Sequence, residues 1–326
     1  VKRSEVIFAL VGLGLFGFVA SRIGWTPLVH QLASASLAIP VLICISFLRL
    51  LLQTHAWRIG LQQEGVTTSF GELLGIRLAS QSMGYLSVLG PALSEPMKIS
   101  LLKGNWNASA AATLADTGIY WFTSAILGLA GCVAAASSLA GAQDVHILIG
   151  IALLFTLLLS LLVRQKPFLQ RLVAALGNRT PGWLRKGATL EEQIRTFRIR
   201  HPLSARWMMC LDLLCQSLLV VETAVVLFYV RLPIHLPVLL GIESATRVTK
   251  MVAGWVPARI GADEGGTAAA FAAFGLSSAA GVVLALTRRF RDLLWCVLGL
   301  GWLAWRSRRV THDQIPDGAL LPCKQS

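Results

Sequence analysis

The stretch VPARIGADEGGTAAAF, residues 256–271, lies between an apolar run ending near Trp255 and another ending near Trp305. Pro257, Gly261, Gly265 and Gly266 weaken or break a helix. Arg259, Asp263 and Glu264 put charge where the flanking sequence is apolar. In a bilayer core, backbone leaves helical geometry only where it is buried in protein or lines a wet cavity. Each charge there costs about 2.5–3.5 kcal/mol on insertion scales. If the chain is membrane-embedded, this stretch reads as a broken helix lining a polar cavity.

The composition supports that condition. Of 326 residues, 55% are hydrophobic and 14% charged, and the mean hydropathy is +0.66. Apolar runs predict helices over about 5–22, 32–54, 107–136, 145–163, 207–230 and 278–305, with two interrupted apolar regions at about 70–103 and 236–274. The expected fold is an all-α integral membrane protein, with about six full spans plus two re-entrant regions. Residues 1–309 form one polytopic domain, with half one at about 5–136 and half two at about 145–305. Residues 310–326 form a disordered tail.

The net charge of +13 lacks the soluble basic patch with interleaved aromatics that a nucleic-acid partner requires. It concentrates in residues 164–206, where ten Lys and Arg face two Glu, whereas 137–144 holds no Lys or Arg. The positive-inside rule then places both termini and this loop in the cytoplasm. There the surface helix PFLQRLVAALGNR would meet anionic headgroups. The N-terminal apolar run reads as an uncleaved first helix rather than a signal peptide. Six cysteines form no CxxC pair and read as small buried thiols. No histidine or acidic motif suggests a metal, and no cofactor is expected.

The two interrupted regions share an order of features. LGPALSEPMKISLLKGNWNASAAATLAD and VPARIGADEGGTAAAFAAFGLSSAAGVVLALTRR each run from proline to glutamate, a short apolar helix, a glycine, an SAA start and a long helix. Entry of the two regions from opposite faces would make an inverted-topology repeat. Ser94-Glu95-Pro96 reads as a helix start with Ser94 as N-cap, and Asp263-Glu264 has the same look. Equivalent Glu95 and Glu264 would then face one shared cavity, although first-turn glutamates also serve as plain caps. Lys98 sits at i+3 of Glu95, as cavity cation or local ion pair. Glu243, Arg247 and Lys250 share a helix face at i, i+4 and i+7, with a Glu243–Arg247 pair as the simpler reading. Arg288 and Asp292 are also i, i+4 partners. Arg288, Arg289 and Arg291 exceed that one partner, so one of them is expected to meet Asp116 or a ligand. Glu222, in mid-span, reads as a protonated, hydrogen-bonded side chain.

At these two stretches the sequence resembles the flippase-like membrane region of lysylphosphatidylglycerol synthases and their free-standing relatives. Through IGADEGG and LALTRRFRDLL it is most similar to the hopanoid-biosynthesis-associated members. The resemblance covers about residues 5–305. The family's Gly-Gly-Glu-x-x-Arg becomes Leu93-Ser94-Glu95 with Lys98 in the arginine's place. Its Pro-Gly-Gly-x-Gly-x-x-Glu keeps Pro257, Gly261 and Glu264 but carries Ala258-Arg259 for the glycine pair. An acidic-Arg pair is Asp116-Thr117 here. The resemblance implies a bacterial inner-membrane lipid translocator for a hopanoid or other polyisoprenoid-derived lipid. Its expected substrate-binding residues are Glu95, Lys98, Asp116, Glu243, Arg247, Arg259, Gly261, Glu264, Arg288 and Arg291. No soluble aminoacyl-transfer domain follows Arg309, so an enzyme is not expected. Two alternatives stand beside this reading. One is a non-transporting subunit docked to lipid-synthesis enzymes. The other is an intramembrane enzyme using Glu95 or Glu264 as acid or base, for which no nucleophile or metal is evident. A homo-oligomer is left open.

Overall fold

The computed structural model describes residues 33, 35–87, 90–102, 104–136, 150–153, 155–156, 195–254, 256 and 259–313, with isolated residues between 173 and 192. The expected helix at 5–22, most of those at 145–163 and in the 164–206 loop, and the tail beyond 313 lie outside the described residues. No strand occurs among the described residues, as an all-α membrane protein requires.

In chain order the helices are α1 (Ala38–Gln63), α2 (Phe70–Leu86), α3 (Pro91–Leu101), α4 (Trp106–Ala136), α5 (Pro202–Tyr229), α6 (Leu236–Val252), α7 (Ala262–Ala273) and α8 (Ser278–Asp313). Three of them, α1, α4 and α5, are long and apolar enough to cross a membrane. Their 26, 31 and 28 residues rise about 39–47 Å, more than the roughly 30 Å hydrocarbon core. α8 has 36 residues but carries Arg288, Arg289, Arg291 and Asp292 within little more than a turn. α1, expected at 32–54, spans Ala38–Gln63, and α8 continues through Asp313, so the first tail residues are helical.

The partition of side chains is that of a protein in lipid. Leu203, Phe228, Val133 and Val297 are 69%, 67%, 70% and 69% exposed, while Asp212, Glu222, Glu243 and Glu264 are 1% exposed or less. Apolar surface has no reason to hide from lipid, whereas charge has every reason to hide from it. Cys132, Cys215 and Cys296 are buried free thiols, but Cys44 and Cys210 are exposed on the apolar exterior.

Both interrupted regions are broken helix pairs. The first is α2 and α3, parted at residues 87–90; the second is α6 and α7, parted at 253–261. Gly90 (φ 46°) and Gly261 (φ 78°) are the N-caps of α3 and α7, left-handed conformations that glycine adopts without steric cost. Ser94 is therefore not an N-cap: α3 starts at Pro91, and Pro96 lies inside it. The two breaks meet. A Cβ on Gly90 would stand 2.9 Å from the Gly254 carbonyl oxygen, and the Arg259 guanidinium lies 5.3 Å from the Tyr85 ring centre.

Packing follows the same order in both parts of the chain. α1 lies along α5, α2 along α8, and α6 along α4. At the α2–α8 crossing, Gly299 sits against the Leu78 carbonyl and Ser82 Oγ; at the α6–α4 crossing, Gly131 sits against the Leu240 carbonyl and Ser244 Oγ. A Cβ on either glycine would overlap those atoms. Ser82 and Ser244 each donate back to the carbonyl four residues earlier, at 2.7 and 2.9 Å. Small residues that let backbones approach are how helices associate in lipid, where no hydrophobic force drives them together.

Candidate functional site

A cavity of about 450 Å³ opens where the two helix breaks meet, walled by α1, α2, α3, α4, α5, α6 and α8. Its charged wall carries seven cations (Arg49, Arg77, Lys98, Arg247, Lys250, Arg259, Arg291) and five carboxylates (Glu95, Asp116, Asp212, Glu243, Asp292). Polar and aromatic groups, among them Gln53, Gln81, Tyr120 and Trp121, complete it.

Most of the charge is matched within the protein. Lys98 Nζ donates to Glu95 Oε1 at 2.8 Å, and Thr117 Oγ1 donates to Glu95 Oε2 at 2.9 Å. The local i, i+3 ion pair thus forms, and both of its members line the cavity. Asp116 accepts from Arg77 Nη2 at 2.5 Å, so its partner is Arg77 of α2 and not an arginine of α8. Arg259 pairs with Asp263 at 3.2 Å, and Arg291 with Asp292 at 2.8 Å.

Behind the wall, Glu222 binds Arg291 and lies 3.4 Å from Arg49 and 3.6 Å from Arg288. The expectation of a protonated Glu222 gives way to a carboxylate surrounded by guanidiniums. Glu243 takes Arg288 at 2.6 Å and the Thr223 hydroxyl at 2.5 Å. The two i, i+4 pairs expected on α6 and α8 do not form: Glu243, Arg247 and Arg288 bond across the bundle, and Asp292 takes Arg291 beside it. Arg288 is held by Glu243, Thr223 and the Leu219 carbonyl and does not line the cavity.

Glu264 does not line it either. It is fully buried, bound by Arg289 at 2.5 Å, and its Oε2 accepts from the Gly261 N–H at 2.8 Å. It is the N3 residue of α7 capping its own helix start. Gly261 supplies that N–H and the positive φ, and no cavity surface. Glu95 and Glu264 are also not equivalent in register. Glu95 is five residues past the N-cap Gly90, and Glu264 is three past Gly261.

Two cations remain. Arg247 donates Nη1 to Ser124 at 2.7 Å and to Gln216 at 2.6 Å, while its Nε and Nη2 have no hydrogen-bond partner. Among the described residues, no carboxylate lies within ion-pair distance of Arg247 or Lys250. Asp212, on the cavity wall, has an Oδ2 without a partner. Arg49, Arg77 and Asp212 were missed from the sequence. Each is a lone charge in an apolar helix, and the cost of such a charge in lipid was the signal that could have found them. No group of His, Cys, Asp and Glu among the described residues could hold a metal ion.

Residues 6–301 match the family model of the lysylphosphatidylglycerol synthase TM region. The chain belongs to that family. No curated protein and no solved structure matches it. Membership fits a membrane protein related to lipid modification or translocation. One residue beside the second helix break is strained. Arg259 has φ 48°, rare for a side chain bearing a Cβ, at a position of the Pro257–Glu264 segment where the resemblance expects glycine. Position 259 has a φ that glycine adopts freely, and Asp263 and the Tyr85 ring hold the side chain there.

Proposed function

We infer that this family member moves a lipid headgroup through the cavity between the two helix breaks, with the lipid tail remaining in the bilayer. The observation that carries the reading is Arg247 and Lys250, cations without an ion-pair partner among the described residues on the wall of a polar chamber, with two Arg247 nitrogens buried and unsatisfied. Leaving a buried donor unsatisfied costs about 1–3 kcal/mol, and more for a charged group. An anionic or hydroxylated headgroup would recover that. Glu95, Lys98, Asp116 and Glu243 are internally matched and shape the passage. The resemblance makes a hopanoid or other polyisoprenoid-derived lipid the leading cargo, in the bacterial inner membrane.

The reading includes an inverted-topology repeat within a six-span protein whose termini are cytoplasmic. Its support is the matching order of helix lengths, 26, 17, 11 and 31 residues against 28, 17, 12 and 36. The paired Gly299–Ser82 and Gly131–Ser244 contacts add to it. Such a repeat would let the cavity open to either face by rocking one half against the other.

The test is purified protein in vesicles carrying a fluorescent lipid, with outer-leaflet label quenched chemically. Wild type should deliver more than half of the label to the quencher, and Arg247→Gln should lower the rate at least tenfold. If wild type moves no lipid of any headgroup class, the translocator reading fails, and a non-transporting subunit of a lipid-synthesis complex takes its place.

A further inference from the structure

α4 and α5 each have a second face, away from the headgroup cavity. Toward the cavity they offer Asp116, Tyr120, Ser124 and Asp212. On the other side Ile119, Phe122 and Ile126 of α4 meet Ala205, Met209 and Leu213 of α5 across a groove of about 460 Å³. Gly118 adds width to it, having no side chain, and Met209 contributes an adaptable wall. At the α5 N-terminal end the groove is lined by Arg198 and Arg206, and among the described residues no acidic side chain lines it.

The surroundings of that end identify it as a lipid surface. Ile199, Leu203 and Trp207 are 68%, 69% and 66% exposed, next to exposed Arg198, Arg200 and Arg206. Exposed tryptophan and aliphatics mixed with arginine are the composition of a membrane–water interface, where the stem stays in hydrocarbon and the guanidinium reaches the headgroups.

We propose that this groove holds one anionic phospholipid, distinct from the cargo, with an acyl chain along Ile119, Phe122 and Met209 and its phosphate at Arg198 and Arg206. An apolar slot ending in two guanidiniums has the shape and charge of such an amphiphile, and guanidinium forks match phosphate oxygens two at a time. A zwitterionic lipid brings its own cation and gains less there. The bound lipid fills the seam where α4, the last helix of the first half, meets α5, the first described long helix of the second.

The test uses the full chain in nanodiscs of phosphatidylcholine containing phosphatidylglycerol with a photo-reactive group in its acyl chain. Crosslinks should map to residues 118–126 and 202–213. Unlabelled phosphatidylglycerol should compete them away, and phosphatidylcholine should not. Arg198→Gln with Arg206→Gln should lower phosphatidylglycerol retention, read by native mass spectrometry, roughly 30-fold at about a fivefold loss per charge. Arg247→Gln, in the headgroup cavity, should leave the crosslinks at Ile119, Phe122 and Met209 unchanged, so the two sites fail independently. Equal labelling by both lipid classes overturns the proposal. So does a photo-reactive phenylalanine at position 122 that crosslinks to residues 157–191 of this chain in place of lipid.

Discussion

Glu264 and Arg247 were both expected on the cavity wall, and their partners give them different work. Glu264 is held by Arg289 and by the N–H that it caps. Arg247 keeps two nitrogens without a hydrogen-bond partner. Glu264→Gln should therefore lower stability by about 3 kcal/mol, the cost of leaving a buried charge uncompensated. Thermal unfolding in detergent measures that loss, and the folded fraction should still move lipid. Arg247→Gln should do the reverse, with melting little changed and transport lost. Glu222→Gln, which strips a carboxylate from beside Arg49, Arg288 and Arg291, should destabilise more than Glu264→Gln. If the melting order of the two glutamate variants is reversed, Glu222 is not the hub that its partners make it.

Helix crossings on glycine hold the elements together. Gly131 and Gly299 each press against a carbonyl and a serine hydroxyl of the facing helix. Gly131→Val and Gly299→Val should each cost about 1–3 kcal/mol through overpacking, by similar amounts if the two crossings are equivalent. Fluorescence-detected melting in detergent compares them, and a silent variant at either position would separate the crossings. Gly90 is a stricter case, because φ 46° and the Gly254 carbonyl both oppose a side chain. Gly90→Ala should force the two breaks apart. It should slow lipid movement more than Gly71→Ala, whose glycine lies within α2 and has nothing near its Cβ position.

For the molecule as a whole, the proposed inverted repeat makes a sidedness prediction. Asn105, at the turn between α3 and α4, and Ser277, at the turn between α7 and α8, should lie on opposite faces of the membrane. Asn105→Cys and Arg185→Cys should react with an impermeant thiol reagent only from the cytoplasmic side, and Ser277→Cys only from the outside. The measurement is labelling of intact spheroplasts against inverted vesicles in a chain with its natural cysteines replaced. Labelling of positions 105 and 277 from one side would dissolve the repeat.

Much of this was legible in advance, for a reason of range. Apolar run length marks a span because the bilayer has a set thickness, and 107–136 and 207–230 became α4 and α5 almost unchanged. A break at 253–261 was readable from Pro257 and Gly261, whose backbone chemistry is local. The Glu95–Lys98 pair was readable too, since helix pitch brings i and i+3 together whatever surrounds them. Arg77–Asp116 and Arg291–Glu222 were not, because their members lie 39 and 69 residues apart. Which distant charge a helix meets depends on which neighbour its small residues admit, and at what depth. The same packing set Arg289 against Glu264 and left Arg247 open, although both looked alike as charges in an apolar chain. Local chemistry made this a membrane protein with two broken helices; the choice of the two wall cations that remain without an ion pair came from helix packing, because neutralisation is a property of pairs.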